Sequence, residues 1–120
     1  MKYQVALASY SGENIDLHFG RCVKFLIAEI TDNANWEYVD EIDTGLACNG
    51  GCDHENIEAV AEKISHCKYA LSARIGPGAA RILLSKGIKA LEIENEIDQA
   101  IEKLMIYDRA RSDRAVVENT

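Results

Sequence analysis

The segment Cys48-Asn49-Gly50-Gly51-Cys52-Asp53-His54 gathers two thiols, an imidazole and a carboxylate, more soft-ligand character than any other stretch of the chain. Gly50 and Gly51 let the backbone bend tightly enough for both sulfurs to face one point. A Cys-x3-Cys-x-His spacing is compatible with metal ligation. Zinc modules more often join Cys-x2-Cys to a second close pair, which this chain lacks. The loop leads into a helix: Asp53 suits the N-cap, and Ile57, Val60, Ala61 and Ile64 form an i, i+3, i+4, i+7 apolar stripe. Cys52 then lies at the positive end of a helix dipole, which favours the metal-binding thiolate, while Asp53 opposes it.

A second group of chemistry-bearing side chains is Ile15-Asp16-Leu17-His18-Phe19-Gly20-Arg21-Cys22. A lone loop histidine is more often solvated or capping than a ligand, so His18 gains weight only from its surrounding pattern. Cys22 and Cys67 are flanked by strand residues and read as small core hydrophobes. His66, at a helix C-terminus, suits a structural cation. Gly76-Pro77-Gly78 stands where a strand meets a helix, a place where free N–H groups can hold an anion. It lacks the Lys-Ser/Thr ending of a phosphate-binding loop, and a tight turn with a good helix start is its plain reading, with Arg74 keeping an anion contact open.

The elements that must position these groups follow from apolar patterning. Residues 3–8 form a short buried strand, 24–30 a second and 36–43 an alternating third in which Trp36, Tyr38 and Ile42 seek cover. Short connections join them as an antiparallel meander. Then come a helix at 53–65, a strand at 67–72, a helix at 77–86 opened by Pro77 and closed by Gly87, and a strand at 88–93. A last helix is capped by Asn95, with Ile97, Ile101, Leu104 and Met105 on one face and Arg109 and Arg111 near its negative end. The domain spans 1–111; residues 112–120, with only two strong apolar side chains, read as a disordered tail.

Strand-helix-strand units with right-handed crossovers make the second half parallel to the first strand. A mixed five-stranded α/β sheet flanked by helices results, matching the ribonuclease H-like topology in which the second strand opposes the others. Nuclease chemistry on that fold needs an acid in the middle of strand 1, and the run there is Tyr-Gln-Val-Ala-Leu-Ala. No nucleophile-elbow motif supports a hydrolase.

At 120 residues and 48% hydrophobic content the chain suits one domain with a real core. A net charge of −7 argues against a sequence-independent grip on nucleic acid. The N-terminal run is too short for a signal core and nothing approaches a membrane span, so a cytoplasmic, membrane-free protein with reduced cysteines is expected.

Ser9-x-x-Gly12, Ile15-Asp16-x-His18-Phe19-Gly20-Arg21, the 25–29 strand, Gly76-x-Gly78-Ala79 and Lys86-Gly87-Ile88 together resemble the nitrogenase iron-molybdenum cofactor biosynthesis family. That family includes NifX, NafY, the C-terminal domain of NifB and small stand-alone relatives; the resemblance covers about residues 1–107. Asp-x-His-Phe-Gly is its most specific piece, and Cys-Asn-Gly-Gly-Cys is similar to the Cys-x-Gly-Gly loop of NifB-type members. The resemblance implies a ribonuclease H-like fold and non-catalytic carriage of an iron-sulfur cluster or iron-molybdenum cofactor precursor between donor and acceptor proteins. It implies His18 as a cluster ligand and Cys48 as a second; Cys52 and His54 are extra soft ligands beyond the family pattern. An anionic cluster would also welcome Arg21, Lys24 or Arg74.

Three rival readings stand beside it. Cys48, Cys52, His54 and His18 could hold a single zinc or copper; Cys48 and Cys52 could be a thiol redox pair; or the domain could serve protein interaction alone.

Overall fold

Val5 and Leu7 of strand β1 (Tyr3–Leu7) face one side of a five-stranded sheet and Ala6 the other, and both cores are built on that alternation. The computed structural model describes residues 2–21, 24–31, 35–43 and 54–118, with the backbone alone at Arg21, at 54–56 and from 112 onward. After β1 come β2 (Lys24–Ile30), β3 (Trp36–Asp43), α1 (His54–Lys63), β4 (Tyr69–Ser72), α2 (Pro77–Ser85), β5 (Lys89–Glu92) and α3 (Ile97–Glu118). The strand order is β3-β2-β1-β4-β5. β2 pairs antiparallel with both β1 and β3, whereas β1 with β4 and β4 with β5 are parallel, as the strand-helix-strand units require.

On the Ala6 side, the expected stripe of α1 (Ile57, Val60, Ala61 and Ile64) packs with Leu83 of α2 over Phe25, Ile27 and Ala70. On the Val5 side, Ile97, Ala100, Ile101 and Leu104 of α3 pack over Leu7, Ala28, Ile30 and Leu71. Full burial of each large aliphatic side chain contributes about 1.5–3 kcal/mol, so apolar burial is the main term holding each helix layer to the sheet. Cys67 is 2% exposed within the first core, and burial pushes its thiol up to about 12, which makes it a packing residue.

Strand β3 and helix α3 depart from the sequence reading. The register of β2 and β3 shifts between Ile27 and Ala28, where Ile27 pairs with Asp40 and Ala28 with Tyr38. That irregularity swaps faces along β3: Trp36 packs with the α3 core and Ile42 with the α1/α2 core, although their even spacing places them on one side of a regular strand. Tyr38, expected to find cover, is 48% exposed. Helix α3 starts at Ile97, so Glu96 and not Asn95 precedes it; the Asn95 side chain bonds Gln99 and Lys103. Its backbone continues to Glu118, past the arginines at which the sequence pattern ended it.

The amino ends of β1 and β4 carry a polar knot against α3. The Tyr69 hydroxyl donates to Asp108 Oδ1 at 2.5 Å, Lys68 Nζ donates to the same oxygen at 2.7 Å, and Arg111 reaches the Tyr69 hydroxyl at 3.3 Å. The rings of Tyr3 and Tyr107 stand edge-on to Tyr69. Burial, the Asp108 hydrogen bond and its charge together raise the Tyr69 phenol well above its ordinary range.

Candidate functional site

The opposite, carboxyl edge of the sheet is built from loops. β1 is where the chain's pairing changes from antiparallel on one side to parallel on the other, and in open α/β sheets ligands favour the crevice beyond strand ends at such a reversal. Here β1 stops at Leu7, and residues 17–19 run alongside the chain leaving β4. Leu17 N–H donates to the Ala8 carbonyl at 3.3 Å, Ala73 N–H to Leu17 at 2.9 Å and Phe19 N–H to Arg74 at 2.8 Å. His18 thereby pairs with Arg74 in a parallel bridge. Phe19 is buried against Phe25, with ring centroids 5.5 Å apart, and opens a single 3-10 turn, Phe19–Arg21. Backbone bonds and a buried neighbour therefore hold His18 while its own side chain stays exposed.

The loop before it is equally well defined. Asp16 accepts from the N–H groups of Tyr10 at 2.8 Å and Ser11 at 3.4 Å. Desolvation alone would raise the Asp16 carboxyl, but these donors with the Ser11 hydroxyl outweigh it and hold the group below its ordinary value. Ser9 Oγ accepts from Gly12 N–H at 2.9 Å, and Gly12 takes φ +78, a left-handed conformation costly for a residue with a Cβ. Ile15 N–H bonds the Asn95 carbonyl and Ile97 N–H bonds that of Glu13, tying the loop to the head of α3. The Asp-x-His pattern thus has a physical reading: the carboxylate shapes the loop that presents the imidazole.

Arg74 is exposed, two residues before the α2 N-cap Gly76. Gly76 and Gly78 have open space where a Cβ would lie, so the first turn of α2 is sterically accessible. Glu92 stands close, accepting from Ile75 N–H at 2.8 Å. Neither His18 nor Arg74 has a side-chain partner among the described residues. Lys24 opens β2 at this same edge and lies 3.4 Å from Glu41 in an exposed ion pair. Arg21 belongs to the 3-10 turn by its backbone, and its side chain is outside the described residues.

Cys48 and Cys52, with the proposed Asp53 cap and Cys22, lie outside the described residues, as does the side chain of His54, whose backbone opens α1. The flanks of the Cys48 loop are placed: β3 ends at Asp43, opposite Lys24, on the edge that carries His18. Among the described residues no group of three or more His, Cys, Asp or Glu side chains is arranged to hold a metal ion. Sequence reasoning passed over Ser72, which ends β4, is 1% exposed, and whose hydroxyl has no hydrogen-bond partner among the described residues. A polar residue closing the apolar run Tyr-Ala-Leu-Ser was the available signal.

These features define an α/β domain in which exposed His18 and Arg74, bridged through their backbones, stand where the pairing of the sheet reverses. The chain belongs to the dinitrogenase iron-molybdenum cofactor family, whose model matches residues 1–107. It is 28% identical over 97 residues to the FeMo cofactor biosynthesis protein NifB of Chlorobaculum tepidum, a match covering 81% of this chain and 22% of that protein. The chain therefore spans about a fifth of the length of that relative. Its fold is similar to the apo form of the orange protein from Desulfovibrio gigas, with a TM-score of 0.60, 22% identity, and coverage of 86% of this chain and 87% of that one. The crystal structure of PH0822 is similar at a TM-score of 0.64 and 20% identity, covering 84% of this chain and 88% of the other. No described helix is long and apolar enough to cross a membrane.

Proposed function

We propose that this protein carries a metallocluster, an iron-sulfur or molybdenum-containing precursor, as an accessory in nitrogenase cofactor assembly, and catalyses no reaction itself. Membership of the cofactor family over residues 1–107 supports the class of cargo. The observation that carries the site is His18: an exposed imidazole on a loop clamped by backbone bonds to the chain leaving β4, with Arg74 as its lateral neighbour. A carrier must release what it binds, so few ligands on the open edge of a sheet suit it better than a closed four-cysteine site. Arg74 and the accessible first turn of α2 offer positive charge to an anionic cluster, and Cys48 is the second ligand in this reading, with Cys52 and His54 behind it.

The strand order, with β2 alone reversed, supports the ribonuclease H-like label as part of the same proposal. Cytoplasmic donor and acceptor proteins complete it. The test is iron and acid-labile sulfide content of anaerobically purified protein, before and after incubation with a preformed iron-sulfur cofactor precursor. Iron and sulfide together, several atoms per chain and lost in His18→Ala, are expected. One zinc without sulfide would replace the cluster with a mononuclear site, and neither metal nor sulfide would leave an interaction domain.

A further inference from the structure

Among the described residues the sheet face under α3 is not covered to its margin. Glu13 of the first loop, the rings of Trp36 and Tyr38 on the edge strand β3, and Glu96, Ile97 and Asp98 at the head of α3 line a cavity of about 400 Å³. That volume lies within the range of small-ligand sites. The two rings meet edge to face, 5.1 Å between centroids and 86° between planes, and Tyr38 is 48% exposed. Both rings share this face because the register shift follows Tyr38; it sends Ile42 to the other side.

The cavity's charge is one-sided. Three carboxylates line it, no lysine or arginine does, and none of the three is ion-paired among the described residues. The dipole of α3 opposes a cation at its head, but a helix N-terminus carries only about half a positive charge against the two carboxylates Glu96 and Asp98. Burial first, and the Asp98 charge second, raise the Tyr38 phenol, which places that carboxylate within electrostatic reach of the ring.

Electron-rich ring faces beside carboxylates suit a cation that is partly apolar and weakly hydrated, a guanidinium above all, whereas a hard metal ion gains nothing from the rings. We propose that this groove receives an arginine side chain of a partner protein. A protein is favoured over a free organic cation by the surroundings. Among the described residues β3 is a sheet edge with one backbone side unpaired, and Tyr10, 89% exposed, projects from the loop that contributes Gly12 and Glu13 to the groove. The chain's net charge of −7 would draw a basic partner toward it. The groove is independent of His18 and of the cluster reading.

Trp36 is the only tryptophan in the chain, so indole fluorescence of the intact protein reports this groove. The experiment titrates the full chain with an acetylated peptide amide of alternating arginine and glycine, with its citrulline counterpart, and with spermidine. A saturable change in emission with the arginine peptide is expected, absent with citrulline and weakened about tenfold or more in Glu13→Gln/Asp98→Asn. Tyr38→Leu, at an exposed position, is a second variant expected to weaken binding while far-UV circular dichroism stays unchanged. No saturable change with the arginine peptide up to about 1 mM, or equal affinity in both variants, would overturn the proposal. Spermidine binding as tightly as the peptide would overturn the protein partner and leave a polyamine site.

Discussion

The two ends of one sheet are finished in opposite ways. At the amino end, Lys68, Tyr69, Asp108 and Arg111 spend their polar atoms on one another, and the rings of Tyr3, Tyr69 and Tyr107 close around them. At the carboxyl end the order is in the backbone: the bonds linking Leu17, Phe19, Ala73 and Arg74 position the chain while His18 and Arg74 extend outward without side-chain partners among the described residues. A side chain saturated by its neighbours has nothing left for a ligand. The amino end therefore reads as the clamp that holds α3, and the carboxyl end as a surface whose exposed polar side chains are uncommitted while their backbone is held in place.

Asp108 is the centre of the amino-end knot. Its side chain is 16% exposed and is the acceptor for a fully buried tyrosine, so Asp108→Ala strands the Tyr69 hydroxyl without its acceptor. Unfolding free energy should fall by about 2 kcal/mol, seen as a lower denaturant midpoint at unchanged slope. The Lys68 pair adds little to this, since that side chain is 44% exposed. A loss under about 0.5 kcal/mol would mean that the knot holds nothing.

Acid titration reads the same carboxylate. Burial works to raise the Asp108 carboxyl, yet Lys68 and Tyr69 as donors, with the charges of Lys68 and Arg111, hold it below its ordinary value, and Asp16 is lowered as well. A folded value below the unfolded one, about 3.9 for aspartate, gives stability that is present above about pH 4 and lost as pH falls through the folded value. Stability should therefore decline below about pH 4, less steeply in Asp108→Asn; an identical slope in that variant would remove Asp108 as the cause. Raised Tyr69, Tyr3 and Cys67 have the reverse sign: their contribution is intact at neutrality and is lost as pH rises beyond the unfolded values of about 9 to 10.

The smallest effect belongs to the other end. His18→Ala and Arg74→Ala remove exposed groups with no described partner, and each should leave the denaturant midpoint within about 0.5 kcal/mol of the parent. A drop comparable to that of Asp108→Ala would show that these side chains are structural and that the contrast between the ends is wrong.

Most of the architecture was legible because it depends on local chemistry. The apolar run at 3–8, the α1 stripe from Ile57 to Ile64, Pro77 opening α2 and Gly87 at φ +83 beyond its end each report a neighbourhood of a few residues. The switch of Ile42 to the opposite face was not legible, since it depends on where β2 pairs with β3 and not on the composition of either strand. Of the candidate site residues, His18 and Arg74 were both singled out from sequence, though nothing in their spacing announces that they are neighbours. The Cys48, Cys52 and His54 side chains remain named by sequence only.

Residue order alone was enough to specify the succession of strands and helices, the reversed second strand and the family, because propensity, periodicity and turn chemistry act over short stretches. Tertiary structure decided what lies beside what. Tyr69 meets Asp108 across 39 positions, His18 meets Arg74 through a loop that replaces β1, and Glu13 meets Asp98 and Tyr38 around one groove. Such meetings are set by sheet register and helix placement, which minimise exposed apolar area over the whole chain and leave no mark on any single segment.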